Sequence, residues 1–186
     1  MSNPLVLWGI AAVVLFWSVG AYNRLVRLRS NANEAFAAMA AELAQQAELV
    51  HASMPASMIP TGLTQPGELL DEVTLLWSGL RAAATQLTVS VAAMRLRPLQ
   101  AEAAAALSQA WDVLLGAWVR VAQEASDLAG SSIPEALTQQ WLERSARSRA
   151  AGEQFNQAVQ RYNDAIAQFP ALLLAGLFGF KRARGV

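Results

Sequence analysis

The first 23 residues of the chain, MSNPLVLWGIAAVVLFWSVGAYN, are mostly apolar and carry no charged side chain; the first charge is Arg24. As a helix, residues 5–22 would extend about 27 Å, close to the roughly 30 Å of a bilayer's hydrocarbon core. Aromatic side chains near both ends of this stretch suit the two membrane interfaces. The pattern predicts a transmembrane anchor over residues 1–23.

Two other interpretations of this segment stay open, a cleaved signal peptide and a buried helix of a soluble protein. The segment lacks the basic start and the small-residue cleavage site of a signal peptide, and the helical pattern continues directly into YNRLVRLRSNANEAF. Both points favour the anchor. Because Arg24, Arg27 and Arg29 follow the segment at once, the positive-inside rule predicts an outer N-terminus and a cytoplasmic remainder.

Beyond the anchor, apolar residues recur at intervals of three and four, the spacing of one helical face. The series comprises Leu25, Leu28, Ala32, Ala35, Phe36, Met39, Leu43, Ala47 and Val50. It predicts that the first helix continues out of the membrane to about residue 50. Residues 51–67 contain three prolines and two glycines, which predict a long loop.

Two further apolar stripes predict a second and a third helix. The second opens with an acidic cluster at residues 68–72, which favours the positive end of a helix dipole. It should end near Arg97, because Pro98 disfavours the helical conformation in the residue before it. A tight turn at Pro98 is favoured over a kink in one long helix. The third stripe covers residues 99–128 and ends at AGSS.

The last helix has a start signal and a heptad pattern. Ser132 and Glu135 form a predicted capping box, with Pro134 tolerated in the first turn, and the helix is expected to run to Phe169. Two heptad positions predict a packing seam of the bundle core rather than a cofactor site. They are Trp141, Ser148, Phe155, Tyr162 and Phe169, and Ser145, Gly152, Val159 and Ile166.

Asn156 and Asn163 each follow an aromatic residue of this seam and lie at its edge. Asparagine is a mediocre helix former, so two of them in mid-helix suggest a hydrogen-bonding role. Three interpretations remain: the amides fix the register against a neighbouring helix, they face a partner protein, or they are solvated without a role. The first is favoured.

A proline at 170 is expected to end the last helix, and the ten apolar residues ALLLAGLFGF that follow are too few to cross a bilayer. Basic residues come next, so residues 171–186 are predicted to form an interfacial anchor whose cations meet anionic headgroups. A plug packed under the bundle is the alternative. The predicted membrane-interface residues are Arg24, Arg27, Arg29, Phe178, Phe180, Lys181, Arg182 and Arg184.

No stretch alternates apolar and polar residues as a half-buried strand does. The predicted fold class is therefore all-α, with an N-terminal transmembrane helix that continues into an antiparallel bundle of long helices, three or four in number. The bundle covers residues 24–170 and is followed by the C-terminal apolar and basic tail. An even number of antiparallel helices returns that tail to the membrane from which the first helix leaves.

Composition limits the chemistry of the chain. The formal net charge is zero, so no electrostatic footprint for nucleic acid is expected. With no cysteine and one histidine, His51, neither a catalytic triad nor a zinc site is expected. Glu48 and His51 match half of a di-metal motif of helical bundles, but a solvated helix end explains them better. We expect no enzyme activity, no cofactor and no metal.

Four segments, YNRLVRLR, EAFAAMAAEL, QEASDLAGSSIPEALTQQW and FNQAVQRYNDAIAQFPALLLAGLFGFK, resemble the LemA family of bacterial membrane proteins. The resemblance implies a single-pass protein of the bacterial inner membrane, with its N-terminus outside and a cytoplasmic, antiparallel helical domain. It implies no enzymatic chemistry, and scaffold or envelope-associated roles are proposed for the family. The segment QQAELVHASMPASMIP departs from the family pattern.

The expected function is that of a scaffold or interaction module at the cytoplasmic face of the membrane, with the lipid bilayer, unknown proteins and further copies of the chain as candidate partners. The alternative is a signalling module that relays a cue through the first helix. A pore is disfavoured because the span carries no polar face. The candidate interaction or register residues are Tyr22, Asn23, Phe155, Asn156, Tyr162, Asn163, Phe169 and Pro170.

Overall fold

The computed structural model describes residues 4–53, 72–129, 133–169 and 171–186. Over these ranges every regular element is a helix and none is a strand, so the predicted all-α fold is confirmed. The helices are α1 (Pro4–Ser53), α2 (Glu72–Leu96), α3 (Ala101–Ala129), α4 (Glu135–Ala167) and α5 (Ala171–Phe178).

Helix α1 is one unbroken helix of 50 residues with two different surfaces. Its first part is apolar and uncovered: Leu7 is 67% exposed, Trp8 76% and Phe16 85%. From Leu25 onwards most of the predicted stripe is buried, so the same helix enters the bundle. Among the helices of the described ranges, α1 is the one that is long and apolar enough to cross a membrane. Its exposed segment fits a membrane anchor.

The bundle contains four long helices. Helix α1 packs against α4 and α2, and α2 packs against α3. The core consists of fully buried aliphatic and aromatic side chains contributed by all four helices, for example Leu43, Leu87, Leu114 and Phe155. Each such side chain contributes about 1.5–3 kcal/mol by leaving water. This burial, rather than helix propensity, holds the long helices together.

Helices α1 and α4 run antiparallel, with a register that three contacts define. Arg24 contacts Gln168, the Phe36 and Phe155 ring centroids are 5.7 Å apart, and Gln46 contacts Ser145. In the last contact, Nε2 of Gln46 donates to Oγ of Ser145 at 3.0 Å inside the core. One turn along α4, Ser148 is fully buried, and its hydroxyl finds no hydrogen-bond partner in the described structure. The α1–α4 seam thus contains polar groups of two kinds, bonded and unbonded.

The α4 seam packs against two tryptophans of α3. At Gly152 an added Cβ would stand 3.3 Å from the Trp111 ring, which is a tight contact. Trp118 stacks on Trp141, with ring centroids 4.3 Å apart and ring planes inclined by 14°. The predicted seam from Trp141 to Ile166 is buried as expected, and large rings fill the space between α3 and α4.

The predicted turn at Pro98 is confirmed. Helix α2 ends at Leu96, α3 begins at Ala101, and the amide of Gln100 donates to the carbonyl oxygen of Arg97 at 3.1 Å. The predicted loop and the acidic start of the second helix fall mostly outside the described residues. Of that stretch, residues 51–53 belong to α1 and residue 72 begins α2.

Both ends of α4 differ from the prediction. Pro134 is the N-cap residue rather than part of the first turn, and among the described residues no side chain makes a capping hydrogen bond. Ser132, which forms the predicted capping box with Glu135, lies outside the described residues, so the box stays a prediction. The helix ends at Ala167, because Gln168 has extended dihedral angles (φ −80°, ψ 138°). Phe169 therefore leaves the seam and is 70% exposed, so its predicted place in the core is wrong.

Candidate functional site: the base of the bundle

Four segments meet at the end of the bundle next to the exposed part of α1, which we call the base. They are residues 17–33 of α1, the α2–α3 turn at 97–100, the end of α4 together with α5, and residues 179–186, which we call the tail. Nη1 of Arg24 donates to Oε1 of Gln168 at 3.1 Å and joins α1 to the end of α4. The predicted membrane-interface residues all belong to these segments.

An aromatic cluster fixes α5 against α1. The ring centroid of Tyr22 lies 5.1 Å from that of Phe178 and 5.9 Å from that of Phe180. About one turn earlier in α1, Trp17 lies 5.5 Å from Phe169. Aromatic pairs at such distances contribute about 0.5–1.5 kcal/mol beyond the burial of their area. Phe169, displaced from the core, thus contributes to the base instead.

Gly179 turns the chain back towards α4 after α5 ends. Its φ of +70° lies in the left-handed region, which glycine enters without the penalty of a Cβ. The amide of Phe180 donates to the carbonyl oxygen of Ala175 at 2.9 Å, the bond that defines a Schellman motif at a helix end. The glycine in LFGFK therefore places one phenylalanine on each side of the turn, and both rings reach Tyr22.

Two asparagines of α4 hold the tail by its backbone. Nδ2 of Asn163 donates to the carbonyl oxygen of Ala183 at 2.8 Å, and Oδ1 accepts from the amide of Ala183 at 2.8 Å. Asn156 makes the same pair of bonds with Val186, at 2.8 and 2.9 Å. Each side-chain amide thus takes the place of a peptide group in a neighbouring strand. We call the two pairs the amide clasp.

The lengths of helix and tail explain why the amides stand seven residues apart. Seven helical residues advance about 10.5 Å, and three residues of extended chain, from 183 to 186, advance about 10 Å. The tail can therefore present one backbone pair to each amide. The structure gives the amides this segment of the same chain as their partner, where the sequence favoured a neighbouring helix.

Gly185 permits the close approach of tail and helix. A Cβ at this position would collide with Oδ1 of Asn156, so no side chain fits while the clasp is closed. Ala183 is buried, whereas the three basic side chains of the tail are exposed. The tail thus keeps its small residues towards α4 and its charges towards solvent.

A cleft of about 530 Å³ opens between the tail, α1 and the α2–α3 turn. Its basic lining residues are Arg29, Arg97, Lys181 and Arg182, which are four of the chain's 14. Glu102 is the one acidic residue in the lining. Within the described ranges, none of the four cations forms an ion pair. The cleft is therefore a local excess of positive charge in a chain of zero net charge.

Tyr162 reaches this cleft from the core. The side chain is 2% exposed and lines the cleft, and its hydroxyl has no hydrogen-bond partner among the described residues. Burial raises the pKa of Tyr162 above its ordinary value of 10.0, and the guanidinium of Arg29 acts in the opposite direction. At neutral pH the phenol is protonated and has one hydrogen bond to donate.

The remaining candidate residues are more scattered. Asn23 and Arg27 are exposed and form no hydrogen bond or ion pair with a described residue. Phe155 lies in the core, away from the base. Arg184 is exposed on the tail, and Pro170 lies outside the described residues. The base therefore unites most of the predicted residues, but not Phe155.

Sequence reasoning missed Arg97 and Gly185. Arg97 was predicted only as the end of a helix, and nothing in a linear pattern places it beside the tail. A signal for Gly185 did exist. The helical length between the two asparagines matches the length of three extended residues, and near the end of the sequence such a segment contains Gly185. Within the described ranges, no three potential metal ligands lie together. The arrangement at the base can act through hydrogen bonds and charge.

The model of the LemA family matches residues 56–185, which include α2, α3, α4, α5 and nearly all of the tail. The chain belongs to the LemA family. The resemblance seen in the sequence motifs is thus confirmed. In this LemA-family chain the matched region contains the two asparagines and most of the cleft, whereas α1 precedes it. Comparisons with curated proteins and with solved structures give no significant match.

Proposed function

We propose that this LemA-family chain is a non-enzymatic, membrane-anchored helical bundle that serves as a scaffold or interaction module at the cytoplasmic face of the bacterial inner membrane. The observation that carries the proposal is α1, in which an exposed apolar part and a packed part form one helix. A helix without a joint holds the bundle at a defined distance and orientation from the bilayer. Such an attachment suits a protein that presents a surface to others.

The distribution of charge supports the cytoplasmic orientation. The arginines of residues 24–29 follow the apolar segment directly, and the basic residues of the tail lie at the same end of the bundle. Cations next to a span favour the cytoplasmic side, and the anionic lipids of that leaflet attract them. Both groups of charges therefore act in the same direction.

The residue types support a non-enzymatic role. The chain has one histidine and no cysteine. Nucleophilic catalysis commonly pairs a serine or cysteine with a histidine that accepts its proton, and here one histidine is available for that role. This histidine, His51, lies in the last turn of α1, at the end of the bundle away from the cleft and the tail. A surface built from helix faces, rather than a reaction centre, is the proposed functional part.

Thiol labelling tests the orientation, because the natural chain has no cysteine. We place single cysteines by Ser2→Cys, before α1, and by Ala122→Cys, at an exposed position of α3. A membrane-impermeant maleimide should label the first variant in intact cells and the second only after the inner membrane is opened. Labelling of the Ala122→Cys variant in intact cells would contradict the cytoplasmic placement.

A relay of signals through α1 is the second candidate, favoured by the continuity of the helix and by its contacts with α5 through Tyr22. Replacing residues 4–21 with an unrelated apolar helix of equal length separates the two functions. Photo-crosslinking from exposed positions of α2 and α3 in membranes should then capture the same proteins if the bundle is a scaffold. Loss of those proteins on replacement favours the relay, and failure to capture any protein in either form counts against the scaffold.

A further inference from the structure

The cleft at the base gathers charge that the rest of the chain does not explain. Its four cations come from three separate segments, α1, the α2–α3 turn and the tail, and face one carboxylate. Like charges that line one cleft repel one another, so the grouping costs free energy that a bound anion would offset. No described acidic side chain pairs with any of the four. An external anion is the natural counterion.

We propose that the cleft binds a phosphate group, of the kind carried by anionic lipid headgroups. Guanidinium groups present paired donors that match phosphate oxygens, and Arg29 and Arg97 supply two of them. The ammonium of Lys181 adds a point charge. The hydroxyl of Tyr162, which has no hydrogen-bond partner in the described part of the chain, supplies a neutral donor from the core. The volume of about 530 Å³ is typical of small-molecule sites.

The position of the cleft suits a headgroup. Arg29 follows Tyr22, at the end of the apolar segment, by seven residues, or about 10 Å of helix. The polar layer of each leaflet is about 5–8 Å thick, so the long basic side chains of the cleft reach it. The lipid as source of the phosphate rests on the proposed anchoring of α1, whereas recognition of phosphate does not.

The amide clasp completes the site. Lys181 and Arg182 come directly before Ala183. Asn163 bonds to both the amide and the carbonyl group of Ala183. That pairing fixes the tail directly after the two cations, and the contact of Phe180 with Tyr22 fixes it directly before them. The clasp is therefore a positioning device for two of the four cations.

Occupancy of the cleft can be measured through the reactivity of Lys181, because it is the one lysine of the chain. The full chain is purified in a non-ionic maltoside detergent and treated with an acetyl N-hydroxysuccinimide ester, and acetylation of Lys181 is followed by mass spectrometry. The α-amino group serves as an internal reference for general effects of micelle charge. Phosphatidylglycerol in the micelle should slow acetylation of Lys181 several-fold, and phosphatidylcholine should leave the rate unchanged.

A matched pair of variants tests the cleft itself. Arg97→Gln removes a cation of the cleft, and Arg95→Gln removes a neighbouring exposed arginine that does not line it. We expect Arg97→Gln to raise the phosphatidylglycerol content needed for half-maximal protection about five-fold, the effect of one cation near an anionic headgroup. Arg95→Gln should behave as the natural chain. Equal effects of the two variants would mean attraction to a charged micelle alone and would overturn the proposal.

A second arm identifies the source of the phosphate. Glycerol 3-phosphate is added to maltoside micelles in which phosphatidylcholine is the only lipid. Protection by this soluble ester at similar concentrations identifies a soluble phosphate compound, and protection by phosphatidylglycerol alone identifies the lipid; either result supports phosphate binding. Absence of protection in both arms overturns it. Such a failure leaves the thiol-labelling result untouched, so the proposed function is judged separately.

Discussion

The side-chain amide of Asn163 and the backbone of Ala183 exchange two hydrogen bonds of 2.8 Å across 20 positions of sequence. With the matching pair of Asn156 and Val186, this contact gives a segment without regular secondary structure a defined path along α4. The bonds use backbone atoms of the tail, so its basic side chains remain available to face the cleft and solvent. Each half of the clasp is open to a direct test.

Replacing Asn163 with alanine should release the tail at Ala183. Two neutral hydrogen bonds contribute about 1–3 kcal/mol together, so we expect the Ala183 amide to exchange about five-fold to 150-fold faster. Hydrogen–deuterium exchange of the C-terminal peptide in detergent measures this. Global stability is a poorer measure, because alanine in mid-helix returns about 0.5 kcal/mol through its higher helix propensity.

Asn23→Ala is the control for that experiment, since Asn23 is exposed and has no hydrogen-bond partner in the described structure. It should leave the exchange of the tail unchanged. Unaltered protection of Ala183 in the Asn163→Ala variant would show that other contacts hold the tail.

Gly185→Ala should open only the second half of the clasp. The new Cβ collides with Oδ1 of Asn156, so the pair with Val186 must separate. Exchange at Val186 should rise several-fold while Ala183 stays protected. Gly176→Ala is the matched control: its Cβ meets nothing within 4 Å, and the change should stabilise α5 by about 0.5–1 kcal/mol. Equal protection of Val186 in both variants would refute the steric role of Gly185.

Replacing two serines of the α1–α4 seam with alanine should change the free energy of unfolding in opposite directions. Ser145 accepts a buried bond from Gln46, and its loss should cost about 1–3 kcal/mol because the amide is left without a partner. Ser148 is fully buried and its hydroxyl has no partner among the described residues, so Ser148→Ala should stabilise the chain by roughly 0.5–1 kcal/mol. Urea denaturation of the two variants in detergent compares them. A clear loss of stability in Ser148→Ala would reveal a hydrogen bond to water or to another group.

Stability should fall above pH 10 through Tyr162. Burial raises the pKa of Tyr162 in the folded chain above 10.0, while Arg29 acts against the shift. Well below pH 10 both states are protonated and the group contributes no pH dependence; above it the unfolded state loses its proton first, so stability declines until the folded state also ionises. Urea midpoints between pH 8 and 11.5 measure the decline. Tyr162→Phe should reduce the decline, and an unchanged slope in that variant would contradict the assignment.

The helices were predictable because burial repeats along them. The stripe from Leu25 to Val50 and the seam from Trp141 to Ile166 carry enough apolar side chains to define the buried face of α1 and of α4. Helix ends were less predictable, since they depend on one or two backbone angles. Gln168 leaves the helical conformation, and this single change removes Phe169 from the core.

The base was predictable in its residues but not in its geometry. The amides of Asn156 and Asn163 were assigned a hydrogen-bonding role from their place in mid-helix, yet their partner is the backbone of the tail, which has no sequence pattern of its own. Arg97 joins the cleft only because α2 turns back at that point. Contacts between distant segments of this kind follow from topology and not from local periodicity.

The pairing of α1 with α4 has a consequence for the order of assembly. Arg24 and Gln168 lie 144 positions apart, whereas α2 and α3 are joined by a short turn. Closing a long loop costs more entropy than closing a short one, and during synthesis α4 is the last of the four long helices to be made. We expect the amides of the α2–α3 hairpin to become protected first in pulsed hydrogen exchange. The amides of α1 should become protected later, when α4 packs against it. The apolar face that α1 turns towards α4 therefore stays uncovered until the last 52 residues, which are α4 and the segments after it, have been made.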